Sequence, residues 1–152
     1  MRKALYYEDF TVGQEITSSE PYEMSKEAII AFATEFDPQP MHIDEEGAKN
    51  SLFGRLVASG WHTSSATMRL KTQTLLADLA GGLVGMGVES VRWPRPTLPG
   101  DKLRLLITIL DMRESKSKPD KGIIKYKVET FNQRDELVME MVTAVIATRR
   151  GS

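Results

Sequence analysis

The chain has 152 residues, 41% hydrophobic and 27% charged, with a formal net charge of −1; this is the composition of one ordinary globular domain, long enough to bury a real core. The near-neutral balance excludes a basic nucleic-acid-binding stripe, since apart from a small run at Lys116, Lys118 and Lys121 the basic residues are scattered. There is no cysteine, which excludes disulfides, thiolate nucleophiles and cysteine metal ligands.

Residues 1–150 read as a single domain and Gly151–Ser152 as a terminal remnant. The opening MRKALYYEDF lacks the apolar run of a signal peptide, and no window approaches the roughly 18 apolar residues of a membrane helix. The expected location is therefore cytoplasmic, with neither a membrane nor a nucleic acid as partner.

In chain order, a strand is expected over 15–22. Ser25 reads as an N-cap for the helix KEAIIAFATEF, in which Ile29, Ile30, Phe32, Ala33 and Phe36 recur at helical spacing. Pro38 disfavours helical geometry at Asp37, so this helix ends there and DPQPMHID follows as a loop. Asp44 or a neighbour caps a short helix, EEGAKNS. A longer helix is expected over 60–79, with Trp61, Met68, Leu75, Leu76 and Leu79 near one stripe and a first half rich in small residues.

After Gly81 the period changes to two. Strands are expected over 86–93, 102–112, 124–130 and 137–148, separated by the turns PRPTLPGD, ESKSKPDKG and NQRDE. Helices first and an antiparallel meander afterwards define an α+β chain, a sheet packed on one main helix.

Two features carry chemistry. The first is FDPQPMHID, which sets Asp37 and His42 five positions apart with Pro38 and Pro40 between them. Histidine exchanges protons near neutrality, and a neighbouring carboxylate either orients the ring or shares a water with it as a second base. Proline fixes its own φ and restricts the residue before it, so two prolines stiffen the path between acid and imidazole. The plain alternative is a turn-starting aspartate and a loop histidine at the edge of the core. Asp37, His42 and Asp44 offer ligand atoms, but nothing matches the H-x-x-x-H spacing of a helical zinc site, and no metal is expected.

The second feature is ASGWHTSS. A helix starting at Gly60 exposes backbone N–H groups and its positive dipole end, which can hold an oxygen that becomes negative during reaction. The plain alternative makes Ser59 an N-cap and Gly60 a residue that simply fits. His62 reads as structural or as lining a pocket.

Together these stretches resemble the MaoC-like dehydratases, a branch of the hotdog fold that includes the R-specific enoyl-CoA hydratases. That branch carries a D-x-N-P-x-H motif, then a phenylalanine and V-A-x-G or V-H-G-M opening the central helix, then P-V-x-x-G-D. FATEFDPQPMHIDEEGA, FGRLVASGW and VRWPRPTLPGD place Asp37, Pro40, His42, Ala48, Phe53, Val57, Ala58, Gly60, Pro96, Gly100 and Asp101 on that pattern. The likeness runs from about Phe10 to Thr148.

The resemblance implies an antiparallel sheet wrapped around the long helix and a homodimer or higher homo-oligomer. It implies that Asp37 and His42 hold one water for addition to a 2-enoyl thioester, or for the reverse, with the Gly60 amide on the thioester oxygen. No separate cofactor is implied, since coenzyme A or acyl carrier protein is part of the substrate. The motif asparagine is Gln39 here, and the residue after the motif glycine is Trp61, a ring that would shorten or cover the acyl pocket. Gln39, Ser59, Trp61, Arg92 and Arg95 are candidate substrate contacts, and Ser64 or Ser65 a candidate helper from the central helix. A hotdog thioesterase would place a carboxylate on or near that helix, where only Asp78 stands, at its far end. A non-catalytic acyl-thioester-binding module is the third reading.

Overall fold

A computed structural model describes residues 3–151; of the expected terminal remnant, Ser152 lies outside the described residues. The architecture is a curved antiparallel sheet holding one helix against its inner face. The strands are β1 (Glu15–Thr17), β2 (Tyr22–Met24), β3 (Val84–Arg92), β4 (Asp101–Glu114), β5 (Lys121–Phe131) and β6 (Leu137–Thr148). The sheet order is β1-β4-β5-β6-β3, with β2 beside β1 on the same edge of β4. This is the hotdog fold.

Period-two alternation builds the inner face. Leu103, Leu105, Ile107 and Ile109 on β4 and Ile124, Tyr126 and Val128 on β5 are all buried, while the residues between them face outward. The registers Ile107↔Val128 and Val128↔Met141 carry this face across three strands. The strand expected over 15–22 is instead two short ones. Pro21 offers no N–H to the ladder, and the Ser18 side chain takes the Leu105 N–H at 3.0 Å in place of a backbone carbonyl.

The helices are α1 (Lys26–Phe36), α2 (Pro40–Ile43), α3 (Glu45–Ala48) and α4 (Gly60–Lys71). Ser25 caps α1 by accepting from the Ala28 N–H at 3.1 Å. The expected loop after Asp37 contains α2, which starts on Pro40 because a proline at the first helical position loses no hydrogen bond. Asp44 caps α3.

α4 is shorter than the sequence pattern implied and buries a different face. It stops at Lys71 because the polar run Thr72-Gln73-Thr74 satisfies its last carbonyls: Thr72 Oγ1 donates to the Arg69 carbonyl at 2.6 Å and Thr74 Oγ1 to the Lys71 carbonyl at 2.8 Å. Leu75–Asp78 is a separate 3₁₀ turn. Trp61 and Met68 point outward, and the buried face is Thr63, Ala66, Thr67, Leu70 and Lys71. Small side chains let the helix sit deep in the curved sheet. Their hydroxyls are satisfied across the interface, Thr63 to Thr97 at 2.9 Å and Thr67 with Thr130 at 2.7 Å. Among the described residues, no helix is long and apolar enough to cross a membrane.

Candidate active site

The site forms where α2, the residues before α4 and the loop after β3 converge. The chain from Val57 to Ser59 is pinned on both sides. The Val57 N–H donates to the Met41 carbonyl and the Ala58 N–H to the Thr97 carbonyl, each at 2.9 Å. Asp101 holds the PRPTLPGD turn from inside: it is buried and accepts from the Leu98 N–H at 2.9 Å and from Gln133 at 3.1 Å. The motif Asp101 is therefore structural.

Asp37 closes α1 as its C-cap, and its N–H still donates to the Ala33 carbonyl at 2.8 Å. His42 sits on α2 and is buried. The turn between them brings Asp37 Oδ2 within 3.4 Å of His42 Nε2. On the other side of the ring, Nδ1 lies 2.7 Å from the Val57 carbonyl oxygen. A carbonyl only accepts, so Nδ1 carries the ring proton and Nε2 is bare in the neutral imidazole. A lone pair on nitrogen thus faces a carboxylate oxygen. A molecule with two O–H donors, such as water, satisfies both.

Asp37 stays ionised despite its setting. Burial pushes its carboxyl up, but hydrogen bonds from Gln39 and Ser59 and the field of His42 outweigh burial and hold it below the ordinary 3.8. Gln39 Nε2 donates to Asp37 Oδ1 at 2.6 Å, so the side chain that is one methylene longer than the motif asparagine folds back onto the acid. Ser59 is buried, caps α4 by accepting from the Trp61 N–H at 3.3 Å, and serves Asp37 as well. Both residues touch the acid.

A cavity of about 330 Å³ opens beside this pair, lined by His42, Phe53, Gly60, Trp93, Arg95 and Thr97 among others. The Gly60 N–H belongs to the first turn of α4 and so has no acceptor within the helix. Gly60 also has a packing reason that its helix-start position did not reveal. A Cβ there would lie 2.7–2.8 Å from ring carbons of the Trp93 indole. Trp93 is the functional-site residue that sequence reasoning missed; its only signal was its place in VRWPRP, at the end of the strand expected over 86–93. The ring expected over the pocket, Trp61, is 60% exposed and packs edge-on against Trp93 with centroids 5.1 Å apart.

The other candidates separate cleanly. Arg95 lines the cavity mouth and pairs with Glu136 at 3.7 Å, whereas Arg92 is exposed on β3 opposite Glu140, away from the cavity lining. Ser64 accepts from Trp93 Nε1 and donates to Met139 Sδ, both at 3.2 Å. Ser65 donates to the Trp61 carbonyl at 2.9 Å and faces outward. His62 is buried with its ring stacked on Phe32, and burial pushes its imidazole below the ordinary value. Asp78 lies on the 3₁₀ turn, beyond the end of α4. Among the described residues no group of three or more histidines or acids could hold a metal ion.

Fold and pocket together define a hotdog domain with an acid–imidazole pair beside the start of its central helix. The chain belongs to the MaoC-like dehydratase family, whose MaoC like domain matches residues 9–132. The crystal structure of the MaoC-like dehydratase from Rhodospirillum rubrum is 46% identical, covers 98% of this chain and 100% of its own, and superposes with a TM-score of 0.91. The uncharacterized protein YdeM of Bacillus subtilis strain 168 is 30% identical over 143 residues, 93% of this chain and 98% of its own. The unliganded R-hydratase PhaJ1 from Pseudomonas aeruginosa is 20% identical, covering 97% of this chain and 88% of its own with a TM-score of 0.74; at that identity the likeness is one of fold.

Proposed function

We propose that the chain is an R-specific hydratase or dehydratase that interconverts 2-enoyl and 3-hydroxyacyl thioesters, with coenzyme A or acyl carrier protein as the thiol carrier. One observation carries the reading: Asp37 Oδ2 and the bare Nε2 of His42 face each other across 3.4 Å beside a free helix-start amide. Family membership and the fold shared with an R-hydratase support it.

In the hydration direction, a water donates to both bases. As its oxygen forms a bond to C3, one base takes its proton and the C2–C3 π pair moves towards the thioester carbonyl. The developing enolate oxygen is met by the Gly60 N–H; one such donor is typically worth about 2.7–4 kcal/mol of barrier. The proton held by the base then passes to C2. One water is consumed and neither base is changed. Dehydration is the reverse. In this reading Arg95, which lines the cavity, meets the carrier's phosphates.

The same reading includes a homodimer. β3 pairs only with β6 among the described strands, and its Val84, Met86 and Val88 are more than half exposed. An apolar open strand edge is a surface that a second copy would cover by continuing the sheet.

The test is spectroscopic. Loss of the conjugated enoyl-thioester absorbance on adding protein, with 3-hydroxyacyl product and no free thiol, supports the reading. Release of free thiol would make the chain a thioesterase. Tight binding with neither signal would make it a binding module.

A further inference from the structure

A second cavity, of about 280 Å³, lies between α4 and the inner side of β3 and β6. Its walls are apolar at Val88, Val128 and Met141 and hydroxylic at Ser64 and Thr143. It is open because two β3 residues lining it are Gly85 and Gly87. A Cβ at Gly87 would meet nothing within 4 Å, and one at Gly85 only the Ala144 carbonyl at 3.7 Å. The β3–β6 register shifts twice over this stretch, and such bulges gather beside binding sites. One contact stands between the two cavities, and a chain running from one to the other would displace it: Trp93 walls the catalytic cavity, Ser64 walls the second, and the indole Nε1 donates to the Ser64 hydroxyl at 3.2 Å.

Lys71 stands at the far end of the second cavity. It is only 8% exposed. Its Nζ donates to the Tyr126 hydroxyl at 2.7 Å and lies 5.1 Å from the centre of that ring. An ammonium has three donors and the phenol takes one. No described carboxylate pairs with Lys71. Burying a cation without an anion is costly, and burial lowers this lysine from 10.5 to about 8, so at neutral pH it is still mainly charged. An apolar slot with hydroxyls on its walls and a desolvated cation at its end suits a chain that terminates in a carboxylate.

Gly60 and Lys71 are eleven residues apart on one helix, about 16 Å along its axis. Helical side chains lean towards the N-terminus, which brings the ammonium back towards the site. We propose that the second cavity receives the distal part of the acyl chain and that Lys71 binds a carboxylate there, so that the preferred substrates are medium-chain 2-enoyl thioesters ending in a carboxylate. This rests on the hydratase reading for the reaction but not for the ligand site.

The experiment has two arms. The first compares kcat/KM for 2-enoyl-CoA esters of one medium length ending in a methyl, a carboxylate or the carboxylate's methyl ester, in the wild type and in Lys71→Met and Lys71→Gln. The second measures calorimetric binding of the saturated carboxylate-ended acyl-CoA, which cannot be hydrated, to the same proteins. A charge-assisted contact predicts a preference of about tenfold or more for the carboxylate in the wild type. Either variant should remove it, the loss on the carboxylate-ended substrate being about tenfold greater than any loss on the methyl-ended one. Should no ester be hydrated while the saturated carboxylate ligand still loses about tenfold in affinity on substitution, the ligand site is supported and the hydratase reading falls. Equal or better use of the methyl-ended chain by the wild type overturns the proposal. So does a loss shared by all ligands, or a Lys71 variant that alters only dimer dissociation.

Discussion

Asp37 Oδ2 stands 3.4 Å from His42 Nε2, while the opposite ring nitrogen is tied to the Val57 carbonyl at 2.7 Å. The second distance gives meaning to the first. Because Nδ1 must donate to the carbonyl, the neutral ring presents a lone pair to the carboxylate, and two acceptors are left facing each other.

Gln39→Ala should raise the pKa of Asp37. Burial opposes ionisation of this carboxylate, and the Gln39 amide is one of the contacts that overcome burial. The acid limb of the hydration pH profile should therefore move to higher pH. The same logic applies to stability. A carboxyl depressed in the folded state stabilises fully above its ordinary 3.8 and loses that contribution as pH falls through the lower folded value. The variant should be less stable than the wild type at neutral pH and should lose less of its stability as pH falls below the ordinary 3.8. Superimposable profiles would contradict the role given to Gln39.

Gly60→Ala drives a methyl into the Trp93 indole at 2.7–2.8 Å. Overpacking of this kind costs about 1–3 kcal/mol. Urea unfolding should show that loss in the single variant and its recovery when Trp93→Leu is added. If the alanine is tolerated with Trp93 unchanged, the indole does not sit where it is described.

Replacing Lys71 and Tyr126 together, by Met and Phe, should stabilise the protein at neutral pH. Each single change leaves a buried polar partner unsatisfied, whereas the pair removes both. The shift of Lys71 from 10.5 to about 8 corresponds to a penalty of about 3 kcal/mol on its charged form. A cation depressed in the folded state costs most below its folded value, and the cost fades as pH rises towards the unfolded one. The gain in melting temperature should thus be largest at and below pH 7 and narrow between about 8 and 10.5. Burial pushes the Tyr126 phenol up from its ordinary 10.0, so its own contribution enters only above about pH 10, where the unfolded chain ionises first, and the interval from about 8 to 10 belongs to Lys71. A gain independent of pH would contradict the assignment.

Val88→Lys should abolish the proposed homodimer. Val88 lies near the middle of the open β3 edge and is more than half exposed, and a charge on such an edge blocks strand pairing. Sedimentation velocity should find monomers for the variant and dimers for the wild type. A wild type that is already monomeric would remove the dimer from the account.

Much of this was legible in the sequence, for identifiable reasons. The α1 cap at Ser25, its end at Asp37 and the alternation of β4 to β6 follow from local chemistry that tertiary packing did not override. The pairing of Asp37 with His42 was also legible, because two prolines shorten the path between them. The α4 face was not. An apolar stripe predicts burial of Trp61 and Met68, yet the face seated in the curved sheet carries Thr63, Ala66, Thr67, Leu70 and Lys71, and Trp61 and Met68 turn outward. Trp93 and Lys71 were missed because their roles arise from contacts 29 and 55 residues away in sequence, with Ser64 and Tyr126. No local period records such contacts.

The shared water is tested most directly by a double-mutant cycle on hydration of a 2-enoyl-CoA, using single-turnover rates of the wild type, Asp37→Asn, His42→Ala and the double variant, each shown to be folded by circular dichroism. Each single change should cost roughly 10²–10⁴-fold. The double variant should be no slower than the worse single one, because both side chains act on one molecule of water. Losses that multiply, or a single variant that retains the wild-type rate, would show that the two groups do not act on the same water.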